Sequence, residues 1–234
     1  MNKQSNTYTV IYIIGLILVV GTALAGTALA LQSRQQQNAD ADKMRQILAA
    51  AHISAGDKDV IKTFDSHIIN QMVLNQEGDS IGADAFSVDM AAQVKLPEGE
   101  RQLPLFVCQV NDAVKYIIPL YGAGLWGPIW GYIAIDADGS HIYGAYFAHQ
   151  SETPGLGAEI EKPKFSDQFN GSLTLFKNGE FMPIAVVKQG MKPAGNEDYV
   201  DGISGGTITS KGLSDMLANC LAPYKSYLQK ISTK

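Results

Sequence analysis

The sequence predicts an α+β fold, an antiparallel sheet with flanking helices, preceded by one N-terminal transmembrane helix. Three observations carry that prediction. Residues 8–31 are mostly apolar and uncharged. Short β-branched or aromatic runs between Arg101 and Val187 are punctuated by the turn pairs Asn111-Asp112, Asp138-Gly139 and Asn178-Gly179. An apolar stripe at helical spacing then runs from Leu213 to Leu228. Strands gathered in the middle with helices at both ends indicate α+β rather than alternating βαβ units.

In chain order, residues 1–7 form a tail holding Lys3, and 8–31 are long enough to span a bilayer, which takes roughly 20 apolar residues. A cleavable signal peptide competes with the span, because Ala28-Leu29-Ala30 resembles a small-residue cleavage site. The apolar run nevertheless exceeds the roughly 7–15 residues of a signal core, and either reading exports the remainder of the chain. Charge leaves the orientation open: Lys3 stands on one side, and Arg34, Lys43 and Arg45 on the other. Residues 32–42, rich in Gln, Asn, Ala and Asp, read as a linker, and 43–234 as a soluble domain.

Met44, Ile47, Leu48 and Ala51 predict a helix entering that domain. Val60, Phe64, Ile68, Ile69 and Met72 fit a helix or an irregular wrap. Strands are expected at 101–110, 113–121, 129–135, 142–148, 172–176 and 184–187. In the closing helix Thr209 or Ser210 is the expected cap. Leu213, Leu217, Cys220, Leu221, Tyr224 and Leu228 share one face, and Pro223 bends it.

Composition narrows the function classes. With 46% apolar and 18% charged residues the chain can bury a core, and a formal charge of -5 without a basic stripe argues against nucleic acid. Cys108 and Cys220 are too few and too far apart for a zinc site; each reads as a buried small hydrophobe, and the sequence leaves open whether they pair. His52 and His67 are isolated, so no metal site is expected.

Gly122, Gly124 and Gly127 satisfy the Gly-x-Gly-x-x-Gly pattern, but a dinucleotide site needs a helix immediately afterwards. Here Pro128 leads into a strand. Trp126 and Trp130 suit either stacking on a ring cofactor or simple core and rim packing. Two other stretches carry chemistry. In 149–160, Pro154-Gly155 marks a turn, Gly157 permits close backbone approach, and Glu152 and Thr153 offer an acceptor and a donor. In Asp201-Gly-Ile-Ser204-Gly205-Gly206-Thr207, glycines and hydroxyls feed a helix N-terminus, an arrangement that favours a phosphate, with Lys211 near enough to neutralise it.

That last stretch resembles the Asp-x-x-Ser/Thr-Gly-Ala-Thr signature at which a flavin transferase esterifies FMN to the final threonine, with Gly206 in place of the usual alanine. Together with Glu152-Thr153-Pro154-Gly155-Leu156-Gly157 some fifty residues earlier, it resembles the FMN-binding domain shared by two bacterial redox pumps. Gly124-Leu125-Trp126-Gly127 and the long segment before Tyr121 resemble the C-subunit family of the Na+-translocating NADH:quinone oxidoreductases more than the G subunit of Rnf complexes.

The resemblance implies an FMN-binding core at about 121–222 and a covalent phosphoester to Thr207. It implies further flavin contacts from Trp126, Glu152, Thr153, Leu156, Gly157, Ser204, Gly205, Gly206 and Lys211, and a transferase motif of Asp201, Ser204, Gly205 and Thr207. The family also implies a single-pass bacterial inner-membrane subunit with its soluble part on the periplasmic side. It sits in a six-subunit NADH:quinone reductase beside iron–sulfur subunits and a second covalent-FMN subunit, and passes electrons without a complete active site of its own. An anchored binding domain with Thr207 unmodified is the competing expectation.

Overall fold

The computed structural model describes residues 5–82 and 84–232, so Lys3 lies outside the described residues. The chain divides into two units, Met1–Lys43 and Met44–Lys234.

Helix α1 runs from Asn6 to Ala50. It is long and apolar enough to cross a membrane. Its apolar side chains from Val10 to Leu31 are exposed, as a lipid-facing surface requires. The hydroxyls of Thr22 and Thr27 donate to the carbonyls of Leu18 and Ala23 at 2.7 and 2.9 Å, which satisfies them without water.

Residues 32–42, expected as a linker, are helical, as are the last two of the expected tail. No glycine or proline interrupts the stretch, most of its residues tolerate a helix, and Gln36 Nε2 bonds Asp40 Oδ1 one turn on at 2.9 Å. Polarity therefore changes the surface of the helix without ending it.

The second unit is built on a sheet. After α2 (Val60–His67) come β1 (Ile68–Leu74) and β2 (Ser80–Gly82), then the short α3 (Met90–Gln93). The long strands come next: β3 (Leu103–Val110), β4 (Ala113–Ala123), β5 (Pro128–Asp136) and β6 (Ile142–His149). The order β2-β1-β3-β4-β5-β6 is antiparallel throughout. At the Asn111-Asp112 turn both residues have positive φ, 46° and 66°, the twist that a two-residue hairpin needs.

The single turn α4 (Pro163–Ser166) leads to the hairpin β7 (Phe176–Lys177) and β8 (Glu180–Phe181). Then come β9 (Ala185–Val187), β10 (Tyr199–Asp201), α5 (Thr207–Leu221) and α6 (Lys225–Ser232). The runs expected at 172–176 and 184–187 do not extend the main sheet: β9 pairs with β10 in parallel, and Thr174 makes an isolated bridge to His141. Pro223 stands in a 3-10 turn between α5 and α6, a break rather than a bend.

Both sheet faces are covered. One carries Leu105, Ile118, Leu120, Ile129, Ile133 and Phe147 against Leu213, Leu217, Leu221 and Leu228. The other carries Phe106, Cys108, Ile117 and Ala134 against Ile47, Leu48 and Phe64. Burial on both sides explains why the strands read as near-continuous apolar runs. The ambiguity at 57–72 arises because one helix and one strand, joined without a turn at His67 and Ile68, share the apolar residues. Cys108 and Cys220 are both free and buried, and burial pushes each thiol up to about 11. Tyr224, 1% exposed, donates its hydroxyl to Pro104 O at 2.7 Å and fixes the α5–α6 break to β3.

Candidate functional site

Three segments converge around the start of α5. The first is the turn joining β4 to β5, where Gly124 N–H donates to Gly127 O at 2.8 Å and closes a hairpin. No helix comes after these glycines, as the sequence requires. Leu125 and Trp126 at its tip are 47% and 66% exposed. Trp130 lies further along β5, where its indole N–H donates to Gln46 Oε1 at 2.9 Å.

The second segment is the loop after β6. Gly155 has a φ of +75°, and the N–H groups of Leu156 and Ala158 both donate to Thr153 O, at 3.1 and 3.2 Å. Leu156 is exposed, whereas Gly157 is buried. A Cβ on Gly157 would lie 2.3 Å from Glu152 Oε2, so only glycine fits there.

The third segment is the turn into α5. Gln168 grips the backbone of Asp201 from both sides, donating to its carbonyl at 3.1 Å and accepting its N–H at 2.9 Å. Gly202 N–H donates to Val187 O and Gly206 N–H to Ile203 O. Ser210 Oγ reaches back to accept Ile203 N–H at 2.9 Å. The helix starts at Thr207 with Gly206 as its cap residue, which has no side chain to offer. The expected cap at Thr209 or Ser210 is therefore corrected: both hydroxyls sit in the first turn and serve other partners.

Helical geometry separates the two threonines. Residues two apart lie about 200° apart around the axis, so Thr207 is exposed while Thr209 is buried. Lys211 lies four residues after Thr207 and shares its face. Thr207 and Lys211 line one shallow cleft of about 190 Å3 with Lys188 and Ile203. A second cleft of about 380 Å3, lined by Lys162, Lys164, Gln168, Asp201 and Ser204, shares Gly202 and Ile203 with the first. Trp126, Thr153 and Ile208 are exposed and line neither.

Glu152 is the charged residue buried deepest between the segments, at 4% exposure, and its partner Thr209 is buried with it at 1%. Its Oε1 accepts Trp126 N–H at 2.8 Å, and its Oε2 accepts the Thr209 hydroxyl at 2.5 Å. Burial by itself would raise its carboxyl. The Thr209 hydroxyl, the N–H groups of Trp126 and Leu125, and the neighbouring His149 together hold it below the ordinary glutamate value.

The structure thus brings Glu152, Leu156, Gly157, Gly205, Gly206 and Thr209 together, and sets Thr207 and Lys211 on the adjoining helix face. Gln168, Thr209 and Ser210 act here through contacts that no local pattern announces. No cluster of ligands able to hold a metal occurs among the described residues.

These residues suit a flat amphipathic group with a phosphate. Thr207 offers an exposed oxygen at an uncapped helix start, and Lys211 supplies charge. Gly205 and Gly206 leave backbone room, since a Cβ on Gly205 would lie 2.6 Å from Leu156 Cδ2. Leu125, Trp126, Leu156 and Ile208 expose apolar surface.

Comparison with known proteins agrees with that chemistry. Residues 124–222 match the FMN-binding domain family. The C subunit of the Na(+)-translocating NADH-quinone reductase of Vibrio alginolyticus is 31% identical over 91% of this chain and 89% of its own length. The same subunit of Pseudomonas aeruginosa is 31% identical over 92% of this chain and 91% of its own. The crystal structure of the corresponding subunit from Parabacteroides distasonis superposes with a TM-score of 0.79 at 48% identity, covering 85% of this chain and 96% of that one.

Proposed function

This chain belongs to the C-subunit family of the Na(+)-translocating NADH-quinone reductases, and from that membership we propose how its own residues serve such an enzyme. It is a membrane-associated flavoprotein subunit. The observation that carries the site is the pair of threonines at the start of α5, one exposed beside Lys211 and one buried against Glu152. FMN is held covalently, its phosphate esterified to Thr207 Oγ1 by a flavin transferase that reads Asp201, Ser204, Gly205 and Thr207.

When bound, FMN supplies the redox chemistry. The polypeptide supplies position and surroundings. Gly205 and Gly206 let the backbone approach the phosphate, Lys211 offsets its charge, and the open N-terminus of α5 favours an anion. Trp126, Leu156 and Ile208 would offer a bound ring apolar surface, and Thr153, Gly157 and Ser204 belong to the loops that would hold it. The exposure of this rim leaves the ring accessible to a partner, as electron exchange demands.

The partners are the other subunits of the pump, among them the second covalent-FMN subunit and the iron–sulfur subunits. We place α1 in the inner membrane as the anchor and the soluble unit on the periplasmic side. The similarity to the reductase C subunits favours this reading over the G subunit of an Rnf complex. In-gel fluorescence of the protein from its native host tests the attachment. A yellow-green band in wild type, abolished by Thr207→Ala, is expected; a dark wild-type band would overturn it.

A further inference from the structure

Glu152 occupies a place where a carboxylate is expensive. Burying a charge is unfavourable unless donors replace water around it, and here the surroundings are shaped to supply them. Trp126 N–H lies 26 residues away in sequence and the Thr209 hydroxyl 57, yet both reach the carboxylate. Gly124 and Gly157 make room on either side, for a Cβ on either would fall 2.5 or 2.3 Å from a carboxylate oxygen. The approach to Glu152 is fixed as well: its own N–H donates to His149 Nδ1 at 3.2 Å, and Ser151 Oγ donates to Trp126 O at 2.9 Å.

Given the attachment at Thr207, we propose that Glu152, acting through Thr209, is the positioning residue of the flavin site. Pulling Thr209 inward turns the Thr207 hydroxyl outward, because the two lie on opposite sides of one helical turn. The same carboxylate holds the Trp126 hairpin tip, while its own loop carries Leu156 to Gly205. One buried group thereby sets the direction of the attachment point and the spacing of two apolar flanks. Both carboxylate oxygens are engaged by protein donors, so Glu152 acts on the flavin through the loops it ties.

The test uses the full-length chain from native-host membranes, as wild type, Glu152→Ala, Thr209→Val and Thr209→Ser. Hydrogen exchange across 123–127 reads the clamp, and visible circular dichroism of the bound flavin reads its orientation. In Glu152→Ala, flavin is expected to remain on Thr207 while Trp126 N–H exchanges about tenfold faster, the effect of losing its charge-assisted hydrogen bond. In Thr209→Val the carboxylate keeps Trp126 N–H but loses its tie to α5, and a smaller rise in that exchange is expected with the flavin again in place. The visible dichroism should fall to a small fraction of wild type, and Thr209→Ser should restore both signals.

Thr209→Val keeps the shape of threonine and decides the matter if Glu152→Ala does not fold. Wild-type exchange and dichroism in Thr209→Val, or a loss that Thr209→Ser fails to restore, would overturn the proposal. A wild-type protein without flavin would instead overturn the attachment at Thr207, and the exchange measurement would still judge the clamp.

Discussion

Two glycine-rich turns, 122–127 and 201–206, look alike as strings and differ in what they feed. The first closes on itself through Gly124 N–H and Gly127 O, and leads into β5. The second closes through Gly206 N–H and Ile203 O, and leads into α5. Glycine supplies backbone freedom in both. The residues behind it decide the use: Pro128 and a β-branched run continue a sheet, whereas Thr207 and the stripe from Leu213 continue a helix whose first N–H groups face outward. The helix that the second turn feeds also packs on the first turn, since a Cβ on Gly212 in α5 would lie 2.1 Å from Ala123 O.

The sharpest way to break this pairing is Gly212→Ala. In a free helix the change would stabilise by roughly 1 kcal/mol. Here the new methyl must push α5 off the hairpin, and a net loss of about 1–3 kcal/mol in urea unfolding is expected; unchanged stability would deny that α5 and the first turn are packed through this point.

Gly205→Ala should be milder. Its φ of +75° and the nearby Leu156 Cδ2 predict a cost of about 1 kcal/mol, read by the same unfolding curve. Gly155 shares the positive φ but has open space beside it, so alanine there strains the backbone without displacing a neighbour.

The smallest effect is electrostatic. Because folding lowers the pKa of Glu152, its contribution is fully present above the ordinary glutamate value, about 4.3, and is lost as pH falls through the lower folded value. Glu152→Gln lacks this loss. Its Tm should fall less steeply than wild type over that acid window, while at neutral pH it should be the less stable protein. Parallel Tm profiles would show that Glu152 carries no such linkage.

Much of the fold can be read from local pattern. The apolar face of α5, the hairpins at Asn111-Asp112 and Asn178-Gly179, and the apolar run of α1 each rest on neighbours in sequence. What escapes has the opposite character. Strand β1 hides behind α2 because it begins at Ile68, directly after the helix ends at His67, with no turn residue between them to mark the change. Helix α1 continues through 32–42 because polarity changes a helix's surface and leaves its backbone intact.

At the site, Thr207 and its glycines can be read from a local motif. The bond between Glu152 and Thr209 spans 57 residues and appears only once the loops are placed. The hydroxyls of Thr209 and Ser210 look like helix caps in sequence. They instead bind Glu152 and Ile203, because Gly206 already starts the helix.

Peptide mass spectrometry on native-host material tests the central claim most directly. The fragment containing Thr207 should carry the mass of FMN less one water, with fragmentation placing it on Thr207 and leaving Thr209 free. An unmodified fragment, or an adduct on Thr209, would contradict the division of labour between the exposed and the buried hydroxyl.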